Sequence, residues 1–96
     1  MNTTISAVGF DLNEDQQDLI SKKLDRIKYA DDLIVDLSVK VKLDKRYIFD
    51  ITTNFRWGAQ AHVSSDDYEF ATALNKVMDV LDQKVKKEKD KIQQKG

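Results

Sequence analysis

The chain has 96 residues, of which 41% are hydrophobic and 34% are charged, and these proportions are typical of one compact globular domain. It contains no cysteine, which excludes a disulfide framework and thiolate metal sites and favours a reducing compartment, so we expect a cytoplasmic protein. Residues 1–6 lack the segments of a secretion signal, and no apolar stretch approaches the roughly 20 residues needed to span a membrane. A chain this short buries only about 60–65% of its unfolded surface, which disfavours a deep catalytic cavity.

The formal net charge of −1 argues against a generic nucleic-acid-binding protein, because such proteins are usually strongly basic. The charges are, however, unevenly distributed along the chain. Acidic residues concentrate around the predicted loops, at Asp11, Glu14, Asp15, Asp31, Asp32, Asp66 and Asp67. Lysines concentrate at the C-terminal end, so the distribution of charge matters more than its sum.

The first third of the chain predicts a short strand followed by a helix. Residues 3–10 suit a strand that ends at a turn, and Asn13, followed by two carboxylates, has the pattern of a helix N-cap. The helix should run to about Tyr29, with one buried stripe formed by Leu19, Ile20, Leu24 and Ile27. Lys22 and Arg26 fall together on a different face, where they are available to solvent or to a partner.

The middle of the chain predicts three further strands. From Leu33 to Leu43 the apolar period is two, with one face formed by Leu33, Val35, Leu37, Val39, Val41 and Leu43. A second alternating run covers 47–57 and should pair with the first as an antiparallel hairpin across the polar turn 44–46. Gly58 permits a turn, and 59–64 predicts a shorter strand.

The aromatic residues of the second run share one face of the predicted sheet. They are Tyr47, Phe49, Phe55 and Trp57. They would form a base-stacking platform if that face were exposed. Burial in the core is the favoured interpretation, because the apolar stripes of the helices need a partner to cover them.

The last third predicts a capping region at 65–67 and then one long helix. Its apolar positions are Phe70, Leu74, Val77, Met78, Leu81 and Val85. Beyond Val85 the stripe thins, so residues of about 90–96 should extend past the core and fray. No linker or repeat divides the chain, so 1–96 should form a single α+β domain. The order β-α-β-β-β-α predicts a two-layer sandwich with two helices on one face of a four-stranded sheet.

The residues that could support catalysis or metal binding have simpler interpretations. His62, the only histidine, lacks partners at metal-ligand spacing, and the acid pairs at 31–32 and 66–67 suit caps and solvated loops. The chain has neither a nucleophile elbow nor a glycine-rich phosphate loop. We therefore expect no enzyme activity, no metal, no cofactor and no small-molecule substrate.

The lysines of the last helix are the most informative feature of the sequence. One stripe is formed by Lys84, Lys87, Lys91 and Lys95, with Lys76 upstream and Lys86 and Lys89 beside it. Such a stripe could follow the phosphates of a nucleic acid. The alternative is a solvated helix end whose lysines favour the helix dipole and pair with Asp82, Glu88 and Asp90.

Three segments, taken in order, carry a resemblance that covers nearly the whole chain. They are Lys22–Tyr29 (KKLDRIKY), Ala61–Asp66 (AHVSSD) and Lys84–Ile92 (KVKKEKDKI). With this order and spacing the chain resembles the short form of the ribosome hibernation promoting factors, also called ribosome-associated translation inhibitors or ribosomal subunit interface proteins.

The resemblance implies a fold similar to a double-stranded-RNA-binding domain and binding in the decoding channel of the bacterial small ribosomal subunit. Translation would be blocked by occlusion of the tRNA and mRNA sites in stress or stationary phase, by a factor that is monomeric when free. The expected RNA-binding residues are those that the resemblance implies, together with Lys84 from the helix stripe. They are Lys22, Lys23, Arg26, Lys28, Lys84, Lys86, Lys87, Lys89 and Lys91. The second domain of the long form is lacking, so ribosome pairing would need another factor.

Two alternatives from other classes remain open. One is a non-catalytic protein-interaction module that uses the open sheet face, with Asp36, Lys40, Asp50, Thr52 and Arg56. The other, more remote, is a small hydrolase that depends on His62 or on the loop aspartates.

Overall fold

The computed structural model describes residues 1–93 and has the predicted order of elements. These are β1 (Asn2–Val8), α1 (Glu14–Leu24), a 3-10 segment (Asp25–Leu33), β2 (Ile34–Asp44), β3 (Arg46–Phe55), β4 (Gln60–Asp67) and α2 (Phe70–Gln93). The α+β class is therefore confirmed. The predicted fraying at 90–96 stays a prediction, since α2 continues to Gln93 and residues 94–96 lie outside the described residues.

The four strands form one mixed sheet in the order β1-β2-β3-β4. β1 pairs with β2 in parallel, with Ile5 opposite Val39, whereas the other two pairings are antiparallel. A parallel pair cannot be joined by a tight turn, so α1 and the 3-10 segment provide the crossover. The predicted β2–β3 hairpin is present, and its turn places Lys45 at a φ of 64°.

Both helices cover the same face of the sheet, as predicted. The strands bury Leu37, Val39, Val41, Phe49, Ile51, Phe55, Ala61 and Val63, and the helical segments bury Ile20, Leu24, Ile27, Ala30, Ala73, Leu74, Val77, Met78, Leu81 and Val85. The favoured interpretation of the aromatic face is confirmed for Phe49 and Phe55, which are 0% and 3% exposed. The opposite face of the sheet carries polar side chains and is open.

The start of β2 differs from the predicted alternation. Ile34 is 2% exposed and Val35 is 48% exposed, the reverse of the expected order, and Leu33 belongs to the 3-10 segment. The register shifts between Ile34 and Asp36, which is the signature of a β-bulge. A bulge inserts one residue and reverses the faces that follow, so strict alternation from Leu33 was the wrong assumption.

The first helix begins as predicted but ends earlier. The Asn13 side chain accepts a hydrogen bond from the backbone N–H of Gln16 at 2.8 Å, and the Gln16 side chain accepts one from the Asn13 N–H at 3.1 Å. This reciprocal pair is a capping box. The α-helix stops at Leu24 and the chain continues as a 3-10 segment to Leu33, so the prediction of one helix to about Tyr29 is wrong in type and length.

The last strand is longer than predicted. β4 extends to Asp67, which is opposite Tyr47, so residues 65–67 belong to the sheet and the prediction of a capping region there is wrong. Asp67 still accepts a hydrogen bond from the backbone N–H of Glu69 at 3.1 Å. Serine and aspartate favour caps, and pairing with β3 overrides that preference here.

Two turn glycines provide a matched test of close packing. Gly9 and Gly58 have φ values of 85° and 86°, in a region that disfavours any side chain. A Cβ on Gly9 would lie 2.9 Å from the backbone oxygen of Leu43, whereas a Cβ on Gly58 would meet nothing within 4 Å.

We expect Gly58→Ala to lower the free energy of unfolding by about 1–2 kcal/mol through backbone strain alone. Gly9→Ala should lower it by a further ~1–3 kcal/mol, because the methyl group meets backbone that cannot rotate away. Urea unfolding of both variants measures the difference. Equal destabilisation would contradict the close approach of the β1–α1 turn to β2.

Candidate nucleic-acid interface

The lysine-rich part of α2 lies near the end of the sheet where β3 ends and β4 begins. The helix starts at the opposite end, where the ring centre of Phe70 is 5.3 Å from that of Tyr47 and 5.2 Å from that of Phe49. Its 24 residues span about 36 Å, whereas the 8 residues of β4 span about 26 Å. Val85 is the last buried residue of the described stripe, so the lysines that follow it project beyond the core.

A charged cluster joins this part of α2 to the crossover segment. Arg26 donates to the Asp79 carboxylate at 2.7 Å and approaches that of Asp82 at 3.4 Å. The Tyr29 hydroxyl donates to Asp82 at 2.7 Å, and the Lys86 ammonium lies 3.3 Å from the same carboxylate. Asp82, with its side chain 14% exposed, is therefore the centre of the cluster.

The ionisation of this cluster follows from its hydrogen bonds. The hydrogen bond from Tyr29, with Lys86 and Arg26 nearby, outweighs partial burial and holds the pKa of Asp82 below its ordinary value. Burial raises the pKa of Tyr29, and the Asp82 carboxylate raises it further. Asp82 is thus a carboxylate and Tyr29 a neutral donor at physiological pH.

The nine expected RNA-binding residues divide into two groups. Arg26, Lys86 and Lys91 already have acidic partners, the last one Glu88 at 3.6 Å, and the Lys89 ammonium lies 5.3 Å from the ring centre of Tyr29. The other five make neither an ion pair nor a cation–π contact within residues 1–91: Lys22, Lys23, Lys28, Lys84 and Lys87. Lys95 of the predicted stripe lies outside the described residues.

This division supports part of each interpretation of the lysine stripe. The pairs of Lys86 with Asp82 and of Lys91 with Glu88 are those of a solvated helix end. Lys84 and Lys87 are exposed and carry no such partner among the described residues. Asp79 and Tyr29 were missed by sequence reasoning, because their role depends on how the crossover segment packs against α2. The assignment of the nine residues to RNA binding stays a prediction.

The open sheet face carries a polar network of its own. Asn54 donates to Asp36 at 2.6 Å and accepts from Gln60 at 3.0 Å. His62 lies on this face, with its Nε2 3.3 Å from an Asp50 carboxylate oxygen. Within the described part of the chain no group of three or more candidate ligands is placed to hold a metal ion. Across residues 1–93, no helix has the length and apolar character that crossing a membrane requires.

Two solved structures share this fold. A ribosomal subunit interface protein from Coxiella burnetii superimposes with a TM-score of 0.86 at 21% identity, over 94% of this chain and 99% of that chain. The N-terminal domain of Protein Y from Thermus thermophilus gives a TM-score of 0.80 at 22% identity, over 91% and 98% of the two chains. No curated protein sequence matches significantly.

A sequence profile then gives the family directly. The profile described as Sigma 54 modulation protein / S30EA ribosomal protein matches residues 3–93, and the chain belongs to this family. The resemblance to the hibernation factors is thereby confirmed.

Asp82 provides a test of the charged cluster. Because the pKa of Asp82 is held below 3.8, the ordinary value, the folded state favours the carboxylate. This stabilisation is fully present above the pKa of the unfolded residue and disappears as the pH falls through the lower folded-state pKa. Asp82→Asn should therefore lower the free energy of unfolding by about 1 kcal/mol at pH 7, with the deficit shrinking as the pH falls below 3.8.

Asp79→Asn is the matched control, because it removes a carboxylate that is 63% exposed and whose one ion-pair partner among the described residues is Arg26. Its effect should be close to zero. Urea unfolding from pH 7 to pH 3 measures both variants. A pH-independent deficit in Asp82→Asn would show that lost packing, rather than charge, is responsible.

Proposed function

We propose that this protein binds the bacterial ribosome through small-subunit RNA in the decoding channel and inhibits translation by occluding the tRNA and mRNA sites. It acts in the cytoplasm as a non-enzymatic hibernation factor. Family membership supports the ribosome as partner. The observation that supports RNA as the ligand is the lysine-rich end of α2, which projects beyond the core.

The local charge of that end makes phosphate binding compatible with a net charge of −1. Residues 84–91 contain five lysines and two acidic residues, and the acidic pair Asp31 and Asp32 also lies at this end of the sheet. At the opposite end of the sheet and in the turns beside it, acidic residues are concentrated at Asp11, Glu14, Asp15, Asp44, Asp66, Asp67 and Glu69. Each phosphate contact releases condensed counterions, so a few well-placed lysines contribute substantial salt-dependent affinity. The charge separation also favours approach to RNA with α2 first.

The contributions of the cations should not be equal. Lys84 and Lys87 meet phosphate without losing an existing partner among the described residues. Arg26 and Lys86 must share their charge with Asp79 and Asp82, or exchange one partner for another. We therefore assign the first contacts to Lys84 and Lys87, and a supporting role to the charged cluster.

The test is co-sedimentation with bacterial ribosomes and isolated subunits across a series of salt concentrations. We expect the wild type to sediment with the small subunit at low salt and to be released as salt rises. Lys84→Gln with Lys87→Gln should weaken binding roughly tenfold or more at moderate salt and reduce the salt slope by about one per lost contact. A wild type that stays in the supernatant at low salt would overturn the proposal.

The matched control changes the same charge on the open sheet face. Lys40 and Lys42 are exposed there on β2, so Lys40→Gln with Lys42→Gln gives the same net charge as the α2 variant. We expect its binding to equal that of the wild type. Loss of binding in this control, with the α2 variant unaffected, would instead favour the protein-interaction module that uses the open sheet face.

A further inference from the structure

The turn between β3 and β4 holds its backbone in one conformation. Phe55 N–H donates to the Ala59 oxygen at 2.9 Å, and Gly58 N–H donates to the Phe55 oxygen at 3.1 Å. Arg56 N–H donates to the oxygen of Leu33 at 3.1 Å, which ties the turn to the 3-10 segment. The turn therefore presents the side chains of Arg56 and Trp57 from a fixed backbone.

Trp57 has one covered ring face and a large exposed area. Its ring stacks on Phe55 at a centroid distance of 4.9 Å and an interplanar angle of 21°. Phe55 is 3% exposed and belongs to the core, whereas Trp57 is 39% exposed. The core thus supports the indole from one side and fixes its orientation, while part of its surface remains in contact with water.

The turn lies at the same end of the molecule as the lysines of α2. Phe55 is on the sheet face that the helices cover. Trp57 stacks on Phe55 and therefore lies on the same side of the sheet as the helices. The backbone oxygen that accepts from Arg56 belongs to Leu33, the last residue of the 3-10 segment. The same segment contains Tyr29. Lys89 of α2 lies over the Tyr29 ring at 5.3 Å. These contacts connect the turn, the crossover segment and the cationic helix end.

We propose that the exposed surface of Trp57 stacks against an unpaired base of the RNA whose phosphates contact the α2 lysines, with Arg56 beside it. The inference rests on the proposed function and adds a base contact to it. Every base has a π-face, and aromatic side chains and arginine planes are the usual platforms for unpaired bases. Arg56 beside the ring and the α2 lysines at the same end of the molecule, through charge complementarity, favour RNA as the occupant over an apolar peptide.

Trp57 is the only tryptophan, so its fluorescence reports directly on this site. The wild-type protein is titrated at low salt with an oligouridylate of about 12 nucleotides and, separately, with a fully paired RNA duplex of the same length. We expect the unpaired strand to quench the tryptophan emission and the duplex to leave it nearly unchanged. Binding without any quenching by the unpaired strand would overturn the inference.

Three variants separate stacking from packing, with affinity measured by the anisotropy of labelled RNA. Trp57→Leu should weaken binding of the unpaired strand roughly fivefold or more and leave duplex binding unchanged. Trp57→Phe retains an aromatic ring and should bind like the wild type to within about twofold. Tyr68→Leu removes an aromatic ring that is 68% exposed and lies at the other end of the sheet, and it should change neither affinity.

The outcomes distinguish this inference from the proposed function. If Trp57→Leu binds the unpaired strand as well as the wild type does, the inference fails, while ribosome co-sedimentation still tests the proposed function. If Trp57→Leu weakens both RNAs equally and its melting temperature also falls, Trp57 is a packing residue and the inference fails. If the wild type does not co-sediment with ribosomes, both fail.

Discussion

The packing of α2 against the sheet is the interaction on which the rest of the structure depends. Its apolar stripe from Ala73 to Val85 is completely buried, and it covers β3, β4 and the crossover segment together. A four-stranded sheet with one uncovered apolar face would not be stable in water. Because this stripe ends at Val85 while the helix continues to Gln93, the same packing also fixes where the lysines leave the core.

The charged cluster around Asp82 represents a compromise between stability and binding. Its carboxylate joins Arg26, Tyr29 and Lys86, and so holds the crossover segment against α2. The same carboxylate partly neutralises Arg26 and Lys86. Ion pairs at a partly exposed surface contribute little free energy each, so under the proposed function exchanging one of them for a phosphate contact would be a small change.

The two ends of the sheet differ in charge and in how they are held. The end that carries Gly9, the β2–β3 turn and the start of α2 has mostly acidic loops, and an arginine there, Arg46, is paired with Asp66. The end that carries Trp57 has the lysines of α2 and a turn fixed by backbone hydrogen bonds. A nearly neutral protein can therefore have a locally cationic helix end, because electrostatic attraction depends on local potential at distances near the Debye length.

Sequence periodicity determined most of the fold by itself. The order of elements, the N-cap at Asn13, the hairpin of β2 and β3, and the buried stripe of α2 all follow from local rules of spacing and capping. The resemblance of three short segments also gave the family. These features are local or repeat over many residues, so each is readable without knowledge of the neighbouring elements.

The tertiary structure alone decided the details that depend on contacts between distant segments. The bulge at Ile34 and the extension of β4 to Asp67 result from pairing with β3, and the change of α1 to a 3-10 segment accompanies the crossover to β2. The pairs of Lys86 with Asp82 and of Lys91 with Glu88 follow from helical spacing, so the sequence by itself determined them. Only the packing of the two helical segments decided that Arg26 and Tyr29 also reach the carboxylates of α2, because those partners are more than fifty residues away along the chain.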